Sequence, residues 1–262
     1  MRAGLVLFVT GLLLLVWGGV PAVFNFMDSQ GFPIVLPTTF FSSHWFVMIY
    51  GFFLVFIGNE ILVALSNEWA GKEANSFMIT VFGVLVVSAN ITRELLGTSL
   101  SFYLVLGAVG VLLYHSRVFL SPSKIGLRPT GYNYLLFATL ILSSFISSFQ
   151  AVYQLPWLAL AFPSLTIFAV MVRDVGMVIG GRVVHQREMA LAYVFMAFGL
   201  LSYFETTLTS ILLFLAWAVS LHGSRLLSSR GGCTPGSRWV WPGAGYSSPH
   251  CWLGITTCSS TQ

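Results

Sequence analysis

Charge is what this sequence has least of. Only 8% of its 262 residues are Asp, Glu, Lys or Arg, against about a quarter in soluble domains. With 56% hydrophobic residues and a mean hydropathy of +0.86, a soluble globular chain is excluded. Cysteine is absent ahead of Cys233, so most of the chain has neither a disulfide framework nor zinc-type spacing. No glycine-rich phosphate loop and no Ser/His/Asp motif is present, which removes the common nucleotide-binding and hydrolytic classes. The formal charge of +4 is therefore read by position rather than as a nucleic-acid footprint, and no nucleic-acid partner is expected.

What the chain does have is apolar stretches close to bilayer length. In lipid each can satisfy its backbone polar groups only as a helix. Eight such spans are expected: Gly4 to Phe24, Trp45 to Leu65, Phe77 to Thr92, Ser99 to Tyr114, Tyr134 to Tyr153, Pro156 to Val172, Met189 to Phe204 and Leu208 to Leu221. The fold class is thus an all-α, polytopic transmembrane helix bundle in a cell membrane, occupying residues 1–227. The stretch at 175–184, VGMVIGGRVV, either extends the sixth helix or lies in the interface.

Basic residues accumulate in cytoplasmic connections. With the N-terminus inside, that side collects Arg2, Lys72, Arg117, Lys124, Arg128, Arg173, Arg182, Arg187, Arg225, Arg230 and Arg238, and the outside only Arg93. Both termini are expected in the cytoplasm. Arg2 followed by an apolar run has the look of a secretory signal, but the run exceeds the 7 to 15 residues of a signal core, so the first helix is expected to stay. Gly51 with Gly58, Ser143 with Ser147 and Ser144 with Ser148 are small residues that let helices approach closely, within the bundle or in a helix–helix oligomer.

Residues 228–262 differ in character. They hold Cys233, Cys251 and Cys258 and no Asp, Glu or Lys, and Gly, Pro, Ser and Thr dominate. This composition predicts a disordered cytoplasmic tail, or one translated in a shifted frame. His250, Cys251 and Cys258 are too irregularly spaced to read as a metal cluster.

Candidate chemistry lies on the second span. At 100° per residue, His44, Met48, Gly51, Val55, Gly58 and Leu62 form one stripe. Imidazole and thioether four residues apart are soft ligands for haem iron or copper; the alternative is an interfacial histidine and a packing methionine. Glu60 is 16 positions from His44, roughly 160° around and about 24 Å along the helix, so the two do not cooperate directly. An ionisable group in a span points inward or toward an interface, and marks either a structural bond, for instance to Arg173, or an ion path. Asn59 and Glu60 are the ion-pathway candidates. Arg173-Asp174 and Arg93-Glu94 are adjacent opposite charges, expected to anchor helix ends and to find partners elsewhere. His115 and His222 are expected at cytoplasmic helix ends. In Gly180-Gly181-Arg182 the glycines admit a close neighbour and the arginine can grip a carboxylate or phosphate.

Two stretches together resemble the NnrS family of membrane proteins. HWFVMIYGFF at 44–53 is similar to its His-x-His-Glu-Met motif followed by Gly-Phe, and GMVIGGRVV at 176–184 to its Met-Gly-Gly-Arg motif. The resemblance implies a prokaryotic protein, divergent and truncated, associated with haem and copper and with nitric oxide or nitrosative stress. His44 and Met48 would approach the metal, and Gly180, Gly181 and Arg182 the cofactor. Phe46, Val47 and His185 stand where the family has His, Glu and Pro. No catalytic residue set is expected. The competing readings are an ion-coupled transporter or channel using Glu60, and a membrane scaffold or fragment without catalysis.

Overall fold

The computed structural model describes residues 2–32, 44–97, 99–153, 155–178, 186–202 and 205–223. Among them every regular element is helical. Eight long helices follow one another: α1 (Arg2–Ser29), α2 (His44–Ala70), α3 (Ser76–Leu96), α4 (Leu100–Ser116, continued by a 3-10 turn Arg117–Leu120), α5 (Gly131–Tyr153), α6 (Ala161–Val178), α7 (Gln186–Leu201) and α8 (Thr206–Gly223). Six of them, α1 to α5 and α8, are long and apolar enough to cross a membrane. At 16 residues, α7 is short for a span. The tail at 228–262 and Gly180, Gly181, Arg182 and His185 lie outside the described residues.

Local chemistry sets the helix ends. Asn75 caps α3, its side chain accepting from the Phe77 N–H at 3.1 Å. Gly71, at φ +74°, closes α2 with its N–H on the Asn67 carbonyl, a left-handed turn that glycine adopts without a Cβ clash. The third helix runs past the expected Thr92 to Leu96, because hydropathy falls at Arg93-Glu94 while the backbone hydrogen bonds continue to Gly97.

Successive helices pack in order: α1 on α2, α3 on α4, α4 on α5, α5 on α6 and α7 on α8, with α6 also against α2 and α7. Their shared core includes Phe46, Tyr50, Leu54, Ile61, Phe82, Val86, Phe102, Val109, Phe119, Leu136 and Phe162, all fully buried. The outward faces are apolar as well, with Leu13 66% and Phe214 62% exposed. Such an exterior suits lipid, where it loses nothing by being uncovered.

The second helix departs from the expected single stripe. Val47–Phe53 and Glu60–Ala64 are π-helical, so each residue there turns through less than in an α-helix. Met48 and Val55 consequently meet α1, at Gly18 and Gly11, while Gly51 and Gly58 meet α3, at Asn90 and Phe82. One predicted face is thereby two. Gly4, Gly11 and Gly18 recur every seven residues along α1 and seat Val63, Val55 and Met48 of α2, a small-residue seam of the kind that lets membrane helices approach. On α5, Ser143 and Ser147 are buried and Ser148 is exposed. Ser143 Oγ lies 3.3 Å from Thr166 Oγ1 of α6, and Thr139 Oγ1 lies 2.9 Å from Tyr193 Oη of α7.

Candidate functional site

The structure concentrates its unusual chemistry where the C-terminal halves of α2, α4 and α6 meet. Arg173 was expected to anchor a helix end. Instead α6 continues to Val178, and the Arg173 side chain is 0% exposed. Its Nη1 donates to Asp174 Oδ1 at 3.4 Å, so the adjacent charges find each other, contrary to the divergence expected of helix neighbours. The flexible arginine stem spans the angle between them.

The guanidinium lies against two aromatic rings, 4.9 Å from the Phe119 centroid and 5.6 Å from that of Trp69. Such stacking offsets part of the cost of burying the cation. Both residues are tied to neighbouring elements by hydrogen bonds. Trp69 Nε1 donates to the Ser121 carbonyl at 2.9 Å, and Asn133 Nδ2 donates to the Phe119 carbonyl at 2.7 Å. The Lys124 N–H donates to the Trp69 carbonyl at 2.8 Å, which ties the 121–130 loop to the end of α2.

His115 is also structural here. It is 8% exposed, and its Nε2 lies 3.1 Å from Ser66 Oγ. Because Ser66 Oγ donates its own hydrogen to the Lys72 carbonyl at 2.9 Å, it accepts from His115, which assigns the ring proton to Nε2. At the last turn of α4, His115 thus bonds Ser66 of α2, which in turn holds the Lys72 carbonyl of the turn that follows.

Around Arg173 stand three carboxylates. Asp174 has its side chain 32% exposed, Glu68 is exposed, and Glu60 is half-buried. All three interact electrostatically with the arginine. Glu60 forms no ion pair with it in this arrangement, and Nε and Nη2 of Arg173 have no hydrogen-bond partner among the described residues. Glu60 begins the second π-helical stretch, and its neighbour Asn59 turns the other way, toward Gly4 of α1. Asn59 lines a cavity of about 170 Å³ together with Leu7, Phe8, Gly11, Phe52 and Phe56, and its Oδ1 is buried without a partner among the described residues. Asn59 and Glu60 therefore serve different interfaces.

The haem and copper candidates lie toward the other end of α2. His44 is its first residue and, like Met48, is half-buried. Met48 Cγ and Sδ would each lie 3.1 Å from a Cβ placed at Gly18, so the thioether is packed on α1. Phe46, where the resembled motif has histidine, is fully buried among Tyr50, Phe102 and Trp45. Arg93 stacks over Trp45, Phe46 and Phe102 at 5.5 to 5.7 Å. Among the described residues no three His, Cys, Asp or Glu side chains converge as metal ligands.

Sequence reasoning named Glu60 but missed Arg173 as a centre. The signal was present, since Arg173 lies well inside a helical pattern that continues to Val178. Comparison with known proteins adds no family: no family model, curated protein or solved structure matches this chain.

Proposed function

We propose that the chain is an ion-coupled transporter or channel of a cell membrane, with Glu60 as the acid that takes up and releases the ion or proton. In this reading all eight helices span the bilayer, both ends are cytoplasmic, and Glu60 and Arg173 occupy the cytoplasmic half. One observation carries it. A fully buried arginine with two nitrogens, Nε and Nη2, that lack acceptors among the described residues lies within electrostatic reach of a half-buried glutamate on another helix. Burying an ion without full compensation costs several kcal/mol, and intramembrane charges of this kind mark ion and substrate paths. Proton gain by Glu60 changes the charge beside Arg173 and so biases which groups the arginine holds.

The test is flux into proteoliposomes containing the purified chain and a trapped pH-sensitive dye. Ion or proton movement should be present in the wild type and absent in Glu60→Gln inserted to the same level. Equal flux in both would end the reading.

A second reading retains the NnrS-like association with haem or copper and nitrosative stress. His44 and Met48 favour it, because both stay partly accessible on α2, and Gly180, Gly181 and Arg182 would supply an anion grip after α6. Expression with haem and copper supplied, followed by visible spectroscopy and metal analysis, decides it; a colourless, metal-free protein removes it.

A further inference from the structure

Arg173 has a feature that a simple counter-charge does not need. Nε and Nη2 are the two donors along one edge of the guanidinium, and both lack an acceptor among the described residues although the side chain is 0% exposed. The remaining nitrogen, Nη1, is on Asp174 Oδ1. Two parallel N–H groups on a planar cation match two oxygens of a single carboxylate or phosphate, whereas one water offers only one. Phe119 and Trp69 lie against that fork, the Trp69 ring tied to the Ser121 carbonyl and the Phe119 backbone carbonyl to Asn133. A fork held in place gives up little freedom when it is filled.

We propose that Arg173 binds an oxyanion, the carboxylate or phosphate group of a ligand, side-on through Nε and Nη2, beside the Trp69 and Phe119 rings. The role of this anion as cargo or co-ion rests on the transport reading above, while its binding is a separate claim. Of the three neighbouring acids, Asp174 is engaged by Nη1 and Glu68 is exposed, where water screens it. Glu60 is the half-buried acid whose charge also reaches the arginine, after those of Asp174 and Glu68. Removing its charge favours the incoming anion.

The experiment uses the full chain purified in a maltoside detergent, which carries no phosphate. Calorimetric titration with inorganic phosphate and with acetate should show saturable binding to the wild type and tighter binding to Glu60→Gln. Arg173→Lys, which keeps the charge and loses the fork, should bind at least about tenfold more weakly. Added phosphatidylglycerol separates the sources: if it displaces the soluble probe the oxyanion is a lipid headgroup, and if it does not, the oxyanion is a soluble solute. The proposal is overturned if neither the wild type nor Glu60→Gln binds either probe, or if a folded Arg173→Lys binds as well as the wild type. Comparing the wild type with Glu60→Gln keeps the test decisive even if the lysine variant fails to fold. Binding without flux would sink the transport reading alone, and flux without binding would sink this one alone.

Discussion

Replacing Arg173 by methionine should leave the fold as stable or make it more so, while ending function. Two buried donor nitrogens without acceptors among the described residues cost about 1 to 3 kcal/mol each. Against this stand two ring contacts, at 4.9 and 5.6 Å, worth about 0.5 to 2 kcal/mol each. The contact with Asp174 is long and its carboxylate is about one-third exposed, so it adds well under 1 kcal/mol after solvent screening. The costs slightly exceed the gains. Methionine fills similar volume, keeps contact with Trp69 and Phe119, and removes the unpaired donors; exchanges of this type are neutral or stabilising by about 1 to 4 kcal/mol. Asp174 and Glu68, being partly or fully open, can hydrate when the cation is gone. Thermal unfolding followed by circular dichroism in detergent should therefore give an unchanged midpoint or one raised by a few degrees. A loss of more than about 3 kcal/mol in Arg173→Met would refute the reasoning, because it would mean that Nε and Nη2 are satisfied and the arginine is a structural bond.

Other substitutions test the packing that holds the site. Gly58→Ala places a methyl inside the van der Waals envelope of the fully buried Phe82 ring, so a cost of about 1 to 3 kcal/mol is expected. Gly107→Ala meets Leu85 at an ordinary 3.5 Å and should gain about 0.5 to 1 kcal/mol of helix propensity. Equal unfolding midpoints for the two variants would contradict the placement of α2 against α3. Asn133→Leu removes the bond to the Phe119 carbonyl; about 1 to 3 kcal/mol of stability should be lost, with weaker oxyanion binding if the ring truly positions Arg173. Leu in place of Gly11 should disrupt the α1–α2 seam, where even a Cβ lies 3.3 Å from Val55, and lower the yield of folded protein in detergent.

Hydropathy made the helices legible, most firmly α1 to α5 and α8, because a bilayer-length apolar run leaves the backbone few alternatives. It ended α3 too early, since Arg93 and Glu94 interrupt the apolar pattern without interrupting the helix. The stripe on α2 failed for a different reason. The π-helical stretches depend on partners distant in sequence, as when Asn90 Nδ2 donates to the Tyr50 carbonyl at 3.4 Å, and no local pattern encodes such a contact. Glu60 was legible as an acid in an oily span. Arg173 was legible as a residue inside a helix, through the apolar stretch that follows it, but not as a buried one, because its burial comes from Trp69 and Phe119, which lie 104 and 54 positions away along the chain.

The account depends on lipid-crossing helices with Lys124 on the inner side and Leu95 on the outer. Labelling intact cells with a membrane-impermeant maleimide tests this directly, using single-cysteine variants Leu95→Cys and Lys124→Cys in a chain whose Cys233, Cys251 and Cys258 are serine. Modification of Leu95→Cys alone, with Lys124→Cys reacting only after the cells are opened, is the predicted result. Modification of Lys124→Cys in intact cells would contradict it.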